Sequence, residues 1–253
     1  AMTVKVGDFL SEDILENEKY ADIEEALNKW REYVMSFGFG QKLGSDFPSE
    51  LSGFIPDAAY YNRYYRKGGW KATTVISLSI GQGEIGCTPL HLANLCATLA
   101  NRGHYYTPHI VKDSENVTID PKYKEKHYTL VDTVHFQKVI SGMYRAVNSG
   151  YGSGGTASVA AVKGLDICGK TGTAQNPHGD DHSVFICFAP KDNPKIAVAA
   201  YVENGGFGAS YAAPIASLLT EKYLNGQISG NDRKALEKKM KDANLLHKVK
   251  VKK

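Results

Sequence analysis

Three apolar segments constrain the fold of this chain more than any other feature of its sequence. They span Leu165–Gln175, Ser183–Pro190 and Lys195–Glu203, and the short segments between them, NPHGDD and KDNP, have the composition of turns. Strands joined by such short turns pair with their sequence neighbours in opposite directions. We therefore predict an antiparallel β-meander over residues 165–203.

Helical patterns surround this meander. Apolar residues recur at helical spacing from Ala21 to Phe37, with Asp22 as the N-cap and Gly38 at the C-terminal end. Three further segments also predict helices: Leu90–Ala100, Val131–Val147 and Tyr211–Leu224. A short strand is predicted at residues 105–111. Together these elements predict an α+β fold in which helices pack on an antiparallel β-meander.

The charge of the chain is unevenly distributed. The formal net charge is +3, and residues 232–253 hold nine Lys/Arg and three Asp/Glu, so that the remainder carries 3 − 6 = −3. A basic tail can contact nucleic acid or anionic lipid. Its helix-forming residues without interleaved aromatic rings favour a solvated tail instead. We predict a basic tail over residues 226–253 that is helical or disordered.

The segment AAYYNRYYRKGGW, residues 58–70, combines aromatic and basic side chains. Such a composition is compatible with stacking on nucleic-acid bases, but tyrosines packed at the edge of a structural surface are the favoured interpretation. We therefore predict no nucleic-acid partner. No apolar run reaches the ~20 residues that a membrane helix needs, so we also predict no membrane span in this chain.

Residues that commonly bind metals do not form a consistent site in the sequence. The four cysteines, at positions 87, 96, 168 and 187, lack C-x-x-C spacing, and the apolar surroundings of three of them favour buried free thiols. His178 and His182 are four residues apart, which brings ligands together only on a helix, and Pro177 and Gly179 oppose a helix. We predict an exposed turn there, no metal and no cofactor.

The segment Lys170-Thr171-Gly172-Thr173 carries the chemistry of the first predicted strand. Side chains alternate along a strand, so Lys170 and Gly172 point to one face and the two threonines to the other. The ammonium and hydroxyl groups are donors suited to a carboxylate or an oxyanion, and the glycine leaves room for a substrate backbone. An ordinary edge strand with a solvated lysine is the alternative.

Several segments together resemble the class B penicillin-binding transpeptidases, of the elongation type represented by penicillin-binding protein 2. The resemblance is carried by GKTGTAQ at residues 169–175, by FICFAP and IAVAAYVEN after it, and by SIGQGEIGCTPLHLANLCATLANRG upstream. The stretch FGFG…LGSDFPSELSGFIP matches as well. The resemblance covers Lys29 to Asn225, which predicts a partial transpeptidase domain at 29–225 after an unassigned segment at 1–28.

This resemblance implies a serine D,D-transpeptidase that cross-links peptidoglycan stem peptides and is acylated by β-lactams. It implies that Lys170 supplies positive potential, that Thr171 and Thr173 bind the carboxylate beside Gly172, and that the Thr173 N–H forms half of an oxyanion hole. Gln82, in the Gly-Gln-Gly turn, would brace the cleft. The implied location is the periplasmic face of the cytoplasmic membrane, among cell-wall synthesis proteins.

The nucleophile that this family uses is missing from the sequence. No Ser-x-x-Lys occurs, and the two Ser-x-Asn sequences, Ser114–Asn116 and Ser229–Asn231, follow the Gly-Gln-Gly turn, whereas the family's motif precedes it. Because covalent catalysis needs a nucleophile with its activating base, we expect a catalytically inactive chain. It would be a C-terminal fragment of a transpeptidase or a degenerate relative.

Two other functions remain open on the sequence. The chain is compatible with a non-catalytic module that binds cell-wall peptides or partners, and less so with a serine β-lactamase, which shares the Lys-Thr-Gly strand but not the Gly-Gln-Gly segment. Absence of the upstream part of the domain would also expose the edge of the third strand of the meander. We therefore expect that edge to be prone to dimerisation.

Overall fold

The computed structural model describes residues 22–112 and 118–246, and it divides into two compact units. Unit 1 comprises residues up to His91 together with Gly103–Asp132, and unit 2 comprises Leu92–Arg102 together with Thr133 onward. The helices are α1 Ile23–Met35, α2 Ala58–Tyr65, α3 Ala72–Val75, α4 Pro89–Ala100, α5 Thr133–Asn148, α6 Ala212–Asn225 and α7 Asn231–Asp242. The strands are β1 His104–Tyr106, β2 Lys126–Tyr128, β3 Cys168–Ala174, β4 His182–Ala189 and β5 Ile196–Val202.

Unit 1 is organised around helices α1 and α2. Helix α1 begins as predicted, because the Asp22 carboxylate accepts a hydrogen bond from the Glu25 backbone N–H at 2.9 Å. One face of α1 packs with α2 and the segment that follows it, in a cluster of Leu27, Ala58, Tyr61, Trp70, Val75 and Leu78. This cluster supports the chain just before the Gly81-Gln82-Gly83 turn.

The predicted strand at 105–111 is shorter in the structure. Strand β1 ends at Tyr106, and it pairs antiparallel with β2, in which His127 lies opposite Tyr105. Pro108 limits the length of the strand because it has no N–H to donate to a neighbouring strand. Strand β2 was not predicted, since its three residues show no alternating pattern.

Unit 2 contains the predicted meander. Strands β3, β4 and β5 form an antiparallel sheet in that order, with Lys170 opposite Ile186 and Phe185 opposite Ala200. Helices α5 and α6 pack against it, and a cluster that includes Val147, Ala157, Ile167, Phe185, Cys187, Ala200, Ala213 and Ala216 is buried between them. The predicted α+β class is confirmed.

Three cysteines lie inside unit 2. Cys96, Cys168 and Cys187 are buried free thiols, as predicted, and Cys87 in unit 1 is an exposed free thiol. Burial raises the pKa of Cys187 to about 12 despite its contact with the Thr220 hydroxyl. The buried thiols are therefore protonated at neutral pH and behave as small apolar side chains.

The basic tail predicted at 226–253 contains a helix. Helix α7 packs along α6 through a buried ion pair, in which Arg233 Nε lies 2.8 Å from the Glu221 carboxylate. Two of its lysines pair with acidic residues one turn away, Lys238 with Asp242 and Lys241 with Glu237. Much of its positive charge is thus neutralised locally.

Candidate active-site strand

The Lys-Thr-Gly segment lies in the middle of strand β3, at the edge of the sheet. Among the described residues β3 pairs only with β4, so every second backbone N–H and C=O of β3 points away from the sheet. Lys170 and Gly172 share one face, opposite Ile186 and Val184, while Thr171 and Thr173 share the other. The edge therefore offers both backbone and side-chain donors.

Lys170 is half-buried, and its ammonium group is held close to its own strand. Nζ donates a hydrogen bond to the Thr171 carbonyl oxygen at 2.6 Å. Burial lowers the pKa of the Lys170 ammonium, because the charged form loses hydration. A carboxylate brought to this edge would meet a cation that is incompletely solvated and hence strongly attractive.

The side chains of Thr171 and Thr173 lie on the opposite face of β3 from Gly172, as strand alternation predicts. Thr171 and Thr173 are partly exposed, and the Thr171 hydroxyl lies 3.5 Å from that of Thr156. A Cβ atom at Gly172 would lie 3.3 Å from Val184 Cβ, which is a tight contact. Gly172 thus keeps β3 close to β4, in addition to leaving the edge open.

A loop that was not predicted from the sequence supports β3 from behind. Residues 203–211, which we call the β5–α6 loop, approach β3 so closely that a Cβ at Gly208 would lie 2.6 Å from the Gly172 carbonyl oxygen. The Ser183 hydroxyl on β4 donates to the Phe207 carbonyl and accepts from the Ala212 N–H. The three glycines of ENGGFGAS were the available signal for this close approach.

The turn between β3 and β4 is tied to the same loop. His182 Nδ1 accepts a hydrogen bond from the Asn204 N–H at 3.1 Å, and the Asn204 amide oxygen accepts one from Asn176 Nδ2 at 3.0 Å. These bonds give His182 a structural role at the end of β4. In the described ranges no group of three His, Cys, Asp or Glu side chains is arranged to hold a metal ion.

Gln82 belongs to unit 1 and was predicted from the resemblance alone. Gly81 and Gly83 adopt positive φ values of 75° and 69°, and the Gln82 N–H donates to the Ser77 carbonyl at 3.0 Å. The next residue, Glu84, accepts a hydrogen bond from the buried Tyr61 hydroxyl at 2.6 Å. The turn is therefore fixed on both sides.

One of the two Ser-x-Asn sequences, Ser229–Asn231, lies in the connection between two helices and has a structural role there. The Ser229 backbone N–H donates to the Glu221 carboxylate at 2.9 Å, in the connection between α6 and α7. The other, Ser114–Asn116, lies outside the described residues.

A cavity of about 420 Å³ lies beside the β5–α6 loop, lined by Phe207, Tyr211 and Leu236 among others, but not by Lys170.

The chain is similar to known proteins over most of its length. Residues 14–221 match the model of the penicillin-binding protein transpeptidase domain. The chain is 32% identical over 220 residues to the peptidoglycan D,D-transpeptidase MrdA of Haemophilus influenzae, covering 80% of this chain and 33% of that protein. It is 34% identical to MrdA of Acinetobacter baumannii, over 78% of this chain and 31% of that protein.

Solved structures show the same similarity. Penicillin-binding protein 2 of Pseudomonas aeruginosa in complex with WCK 5153 superimposes with a TM-score of 0.71 at 30% identity, covering 90% of this chain and 47% of that one. A complex of penicillin-binding protein 2 and MreC from Helicobacter pylori gives 0.68 at 25%, over 88% and 38%. The chain spans about one third of the length of the curated relatives it matches. No helix in residues 22–112 or 118–246 combines the length and apolar character needed to cross a membrane.

Proposed function

Because the chain belongs to the penicillin-binding protein transpeptidase family, we propose that it provides the substrate-binding edge of a peptidoglycan D,D-transpeptidase. The observation that carries this proposal is strand β3, where Lys170, Thr171 and Thr173 present donors at an open sheet edge. The ligand would be the carboxylate end of a stem peptide or of a β-lactam. Residues 29–225 would form the partial domain, after an unassigned segment at 1–28 and before the basic tail at 226–253.

In this proposal each residue of the edge has a separate task. Lys170 attracts the carboxylate, and the hydroxyls of Thr171 and Thr173 orient it by hydrogen bonds. The Thr173 N–H stabilises an oxyanion that forms when the carbonyl of the substrate is attacked. Gly172 allows the substrate backbone to approach, and the family resemblance implies a bracing role for Gln82.

The covalent step is not assigned to a residue of this chain. The 253 residues contain no Ser-x-x-Lys, and an acyl-enzyme requires a nucleophile with its activating base. We therefore propose that this chain by itself recognises substrate without cleaving it. Within the cell it would act on the periplasmic face of the cytoplasmic membrane, with cell-wall synthesis proteins as partners, as the complex of the Helicobacter relative with MreC suggests.

Incubation with fluorescent penicillin, followed by denaturing electrophoresis, tests the covalent part of this proposal. We expect no labelled band from this chain. A band that disappears on substitution of one serine would identify a nucleophile and overturn the proposed inactivity. Hydrolysis of a chromogenic cephalosporin would support the β-lactamase alternative instead.

Titration with a D-Ala-D-Ala peptide tests the recognition part, observed through the amide resonances of Thr171 and Thr173. Charge-assisted hydrogen bonds contribute roughly 1.5–3 kcal/mol each, against an association cost of at least ~4 kcal/mol, so binding no tighter than about millimolar is expected. Lys170→Ala should abolish the shifts. Micromolar saturation that depends on Lys170 would favour the alternative function, a dedicated binding module.

The expected edge-strand dimer also remains a proposal. Among the described residues β5 pairs with β4 alone, so its outer backbone groups are available to a second copy. Sedimentation at increasing concentration should detect the dimer, and Ala199→Lys should weaken it by placing a charge on the strand. A monomer at all concentrations would contradict the proposal.

A further inference from the structure

An exposed row of aromatic rings on unit 1 has no role in the function proposed above. Phe54, Tyr60 and Tyr64 follow one another with ring centroids 5.1 and 4.8 Å apart. Phe54 is 42% exposed and Tyr64 is 66% exposed, while Tyr60 is partly buried between them. We call these three residues the aromatic shelf.

The shelf is held rigidly by the polar contacts of helix α2. The helix has an Asp57 N-cap, whose carboxylate accepts from the Tyr60 N–H at 2.7 Å, and its inner face buries Tyr61. Phe54 is fixed by a two-way backbone pairing with Gly86. A preformed surface loses little conformational freedom on binding, so these contacts favour a higher affinity of the shelf for its ligand.

These contacts also connect the shelf to the segment that follows the Gly81-Gln82-Gly83 turn. Gly86 lies four residues after Gln82, and Glu84 between them accepts the Tyr61 hydroxyl hydrogen bond. Removal from water, with contributions from Tyr64 and Glu84, raises the pKa of Tyr60. The shelf is therefore a neutral surface that combines apolar ring faces with hydroxyl groups.

Positive charge flanks the shelf at the end of helix α2. Arg63, Arg66 and Lys67 are exposed, and none of them forms an ion pair with another described residue. Arg63 lies in the last turn of α2, and the turn that carries Arg66 and Lys67 is closed by a hydrogen bond from the Gly69 N–H to the Arg66 carbonyl at 3.0 Å. A ligand on the shelf would thus meet cations held at one end of the row of rings.

We propose that the aromatic shelf binds the glycan strand that carries the stem peptides, with Arg63, Arg66 and Lys67 facing carboxylates of those peptides; this inference rests on the proposed function. Sugar rings present C–H groups to aromatic faces and hydroxyls to phenol groups, which matches the mixed character of the shelf. The carboxylates of the stem peptides complement the three cations.

Nucleic acid fits this surface less well than a glycan does. The centroids of neighbouring rings lie only 5.1 and 4.8 Å apart, which leaves no gap between them for a base to enter. The chain outside residues 232–253 also has a net charge of 3 − 6 = −3, which disfavours a polyanion as dense as nucleic acid. A single-stranded oligonucleotide is therefore the competing probe in the test.

Co-sedimentation of the chain with purified insoluble peptidoglycan tests the proposal. We expect binding that Tyr64→Ala weakens roughly ten-fold, about 1.4 kcal/mol, and that Phe54→Ala also weakens. Tyr223→Ala is the matched control, because Tyr223 is a helical tyrosine of 65% exposure in unit 2. A soluble N-acetylglucosamine oligosaccharide should compete, and Arg63→Gln with Lys67→Gln should lower the affinity for peptidoglycan but not for this neutral probe.

The outcomes separate this inference from the proposed function. Equal binding by Tyr64→Ala and the unmodified chain, no binding at all, or preference for the oligonucleotide would overturn the shelf proposal. Binding that depends on Lys170 but not on Tyr64 would overturn it while leaving the proposed function intact. Binding that depends on Tyr64, with no response of Thr171 and Thr173 to D-Ala-D-Ala peptide, would support the shelf and contradict the proposed function.

Discussion

The hydroxyl group of Ser183 donates a hydrogen bond to the carbonyl oxygen of Phe207 at 2.9 Å, and this bond joins the middle strand of the sheet to the β5–α6 loop. The same hydroxyl accepts from the Ala212 N–H at 3.1 Å, at the start of helix α6. Ser183 and Ala212 are both fully buried, so the Ala212 N–H would have no substitute in water if this hydroxyl were lost. The position of the loop behind β3 therefore depends on this hydroxyl.

Replacing Ser183 with alanine should lower the free energy of unfolding by about 1–3 kcal/mol, because it leaves the buried Ala212 N–H without its partner. Urea unfolding measures this change. Ser210→Ala is the control, since Ser210 is an exposed serine in the same loop, and we expect a change within about 0.5 kcal/mol. Equal stabilities of the two variants would mean that the loop rearranges freely.

Gly208→Ala should destabilise the chain by about 1–3 kcal/mol, because the new methyl group would collide with the carbonyl oxygens of Gly172 and Val184. The amide resonances of Thr171 and Thr173 in this variant should shift, because β3 is displaced. Gly142→Ala in helix α5 is the control, since a Cβ there meets no atom within 4 Å, and it should stabilise the helix by about 0.5–1 kcal/mol. Stability changes of the same sign in Gly208→Ala and Gly142→Ala would contradict this prediction.

Arg233→Met should cost about 3 kcal/mol in stability, because it leaves the Glu221 carboxylate buried without its cation. Lys238→Met breaks the exposed pair with Asp242 and should change the stability by no more than about 0.5 kcal/mol. Thermal and urea unfolding of both variants test the comparison. A loss for Arg233→Met as small as that for Lys238→Met would show that helix α7 is not anchored by this pair.

The stability of the chain should fall in alkaline solution partly because of Cys187. Burial raises its pKa from near 9 to about 12 in the folded state, so between these pH values the unfolded thiol is ionised while the folded one is not. The unfolded state then binds fewer protons, and the free energy of unfolding decreases by about 1.4 kcal/mol per pH unit. Cys187→Ala should remove this contribution to the slope. Below pH 9 the free energy of unfolding of the unmodified chain and that of Cys187→Ala should depend on pH in the same way. Equal slopes above pH 9 would refute the assignment of this contribution to Cys187.

Local sequence patterns were sufficient for the meander and the main helices, because strand alternation, turn residues and the Asp22 cap all act within a few residues. They were insufficient for the pairing of His104–Tyr106 with Lys126–Tyr128, because each strand has only three residues and no alternation. Short strands are determined by tertiary contacts rather than by propensity.

The candidate site shows a similar division. Lys170, Thr171, Gly172 and Thr173 were predicted from their donor chemistry and from their resemblance to a family, whereas Ser183 was predicted only as a residue of a strand. Nothing in the segment HSVFICFA distinguishes a serine that holds a distant carbonyl from one that faces water. Likewise, a count of basic residues in the tail predicted a charged surface, but it did not indicate that Arg233 would be paired in the interior.

Strand β5 has a practical consequence for handling the protein. Its sequence, IAVAAYV, has no charged residue, no proline and no glycine, and one of its edges is unpaired within the described residues. Segments of this kind template the stacking of strands into insoluble fibrils when solutions are concentrated or aged. Freshly prepared dilute solutions should therefore remain clear, whereas storage at high concentration should produce material that binds thioflavin, and a lysine at the exposed Tyr201 should delay its appearance.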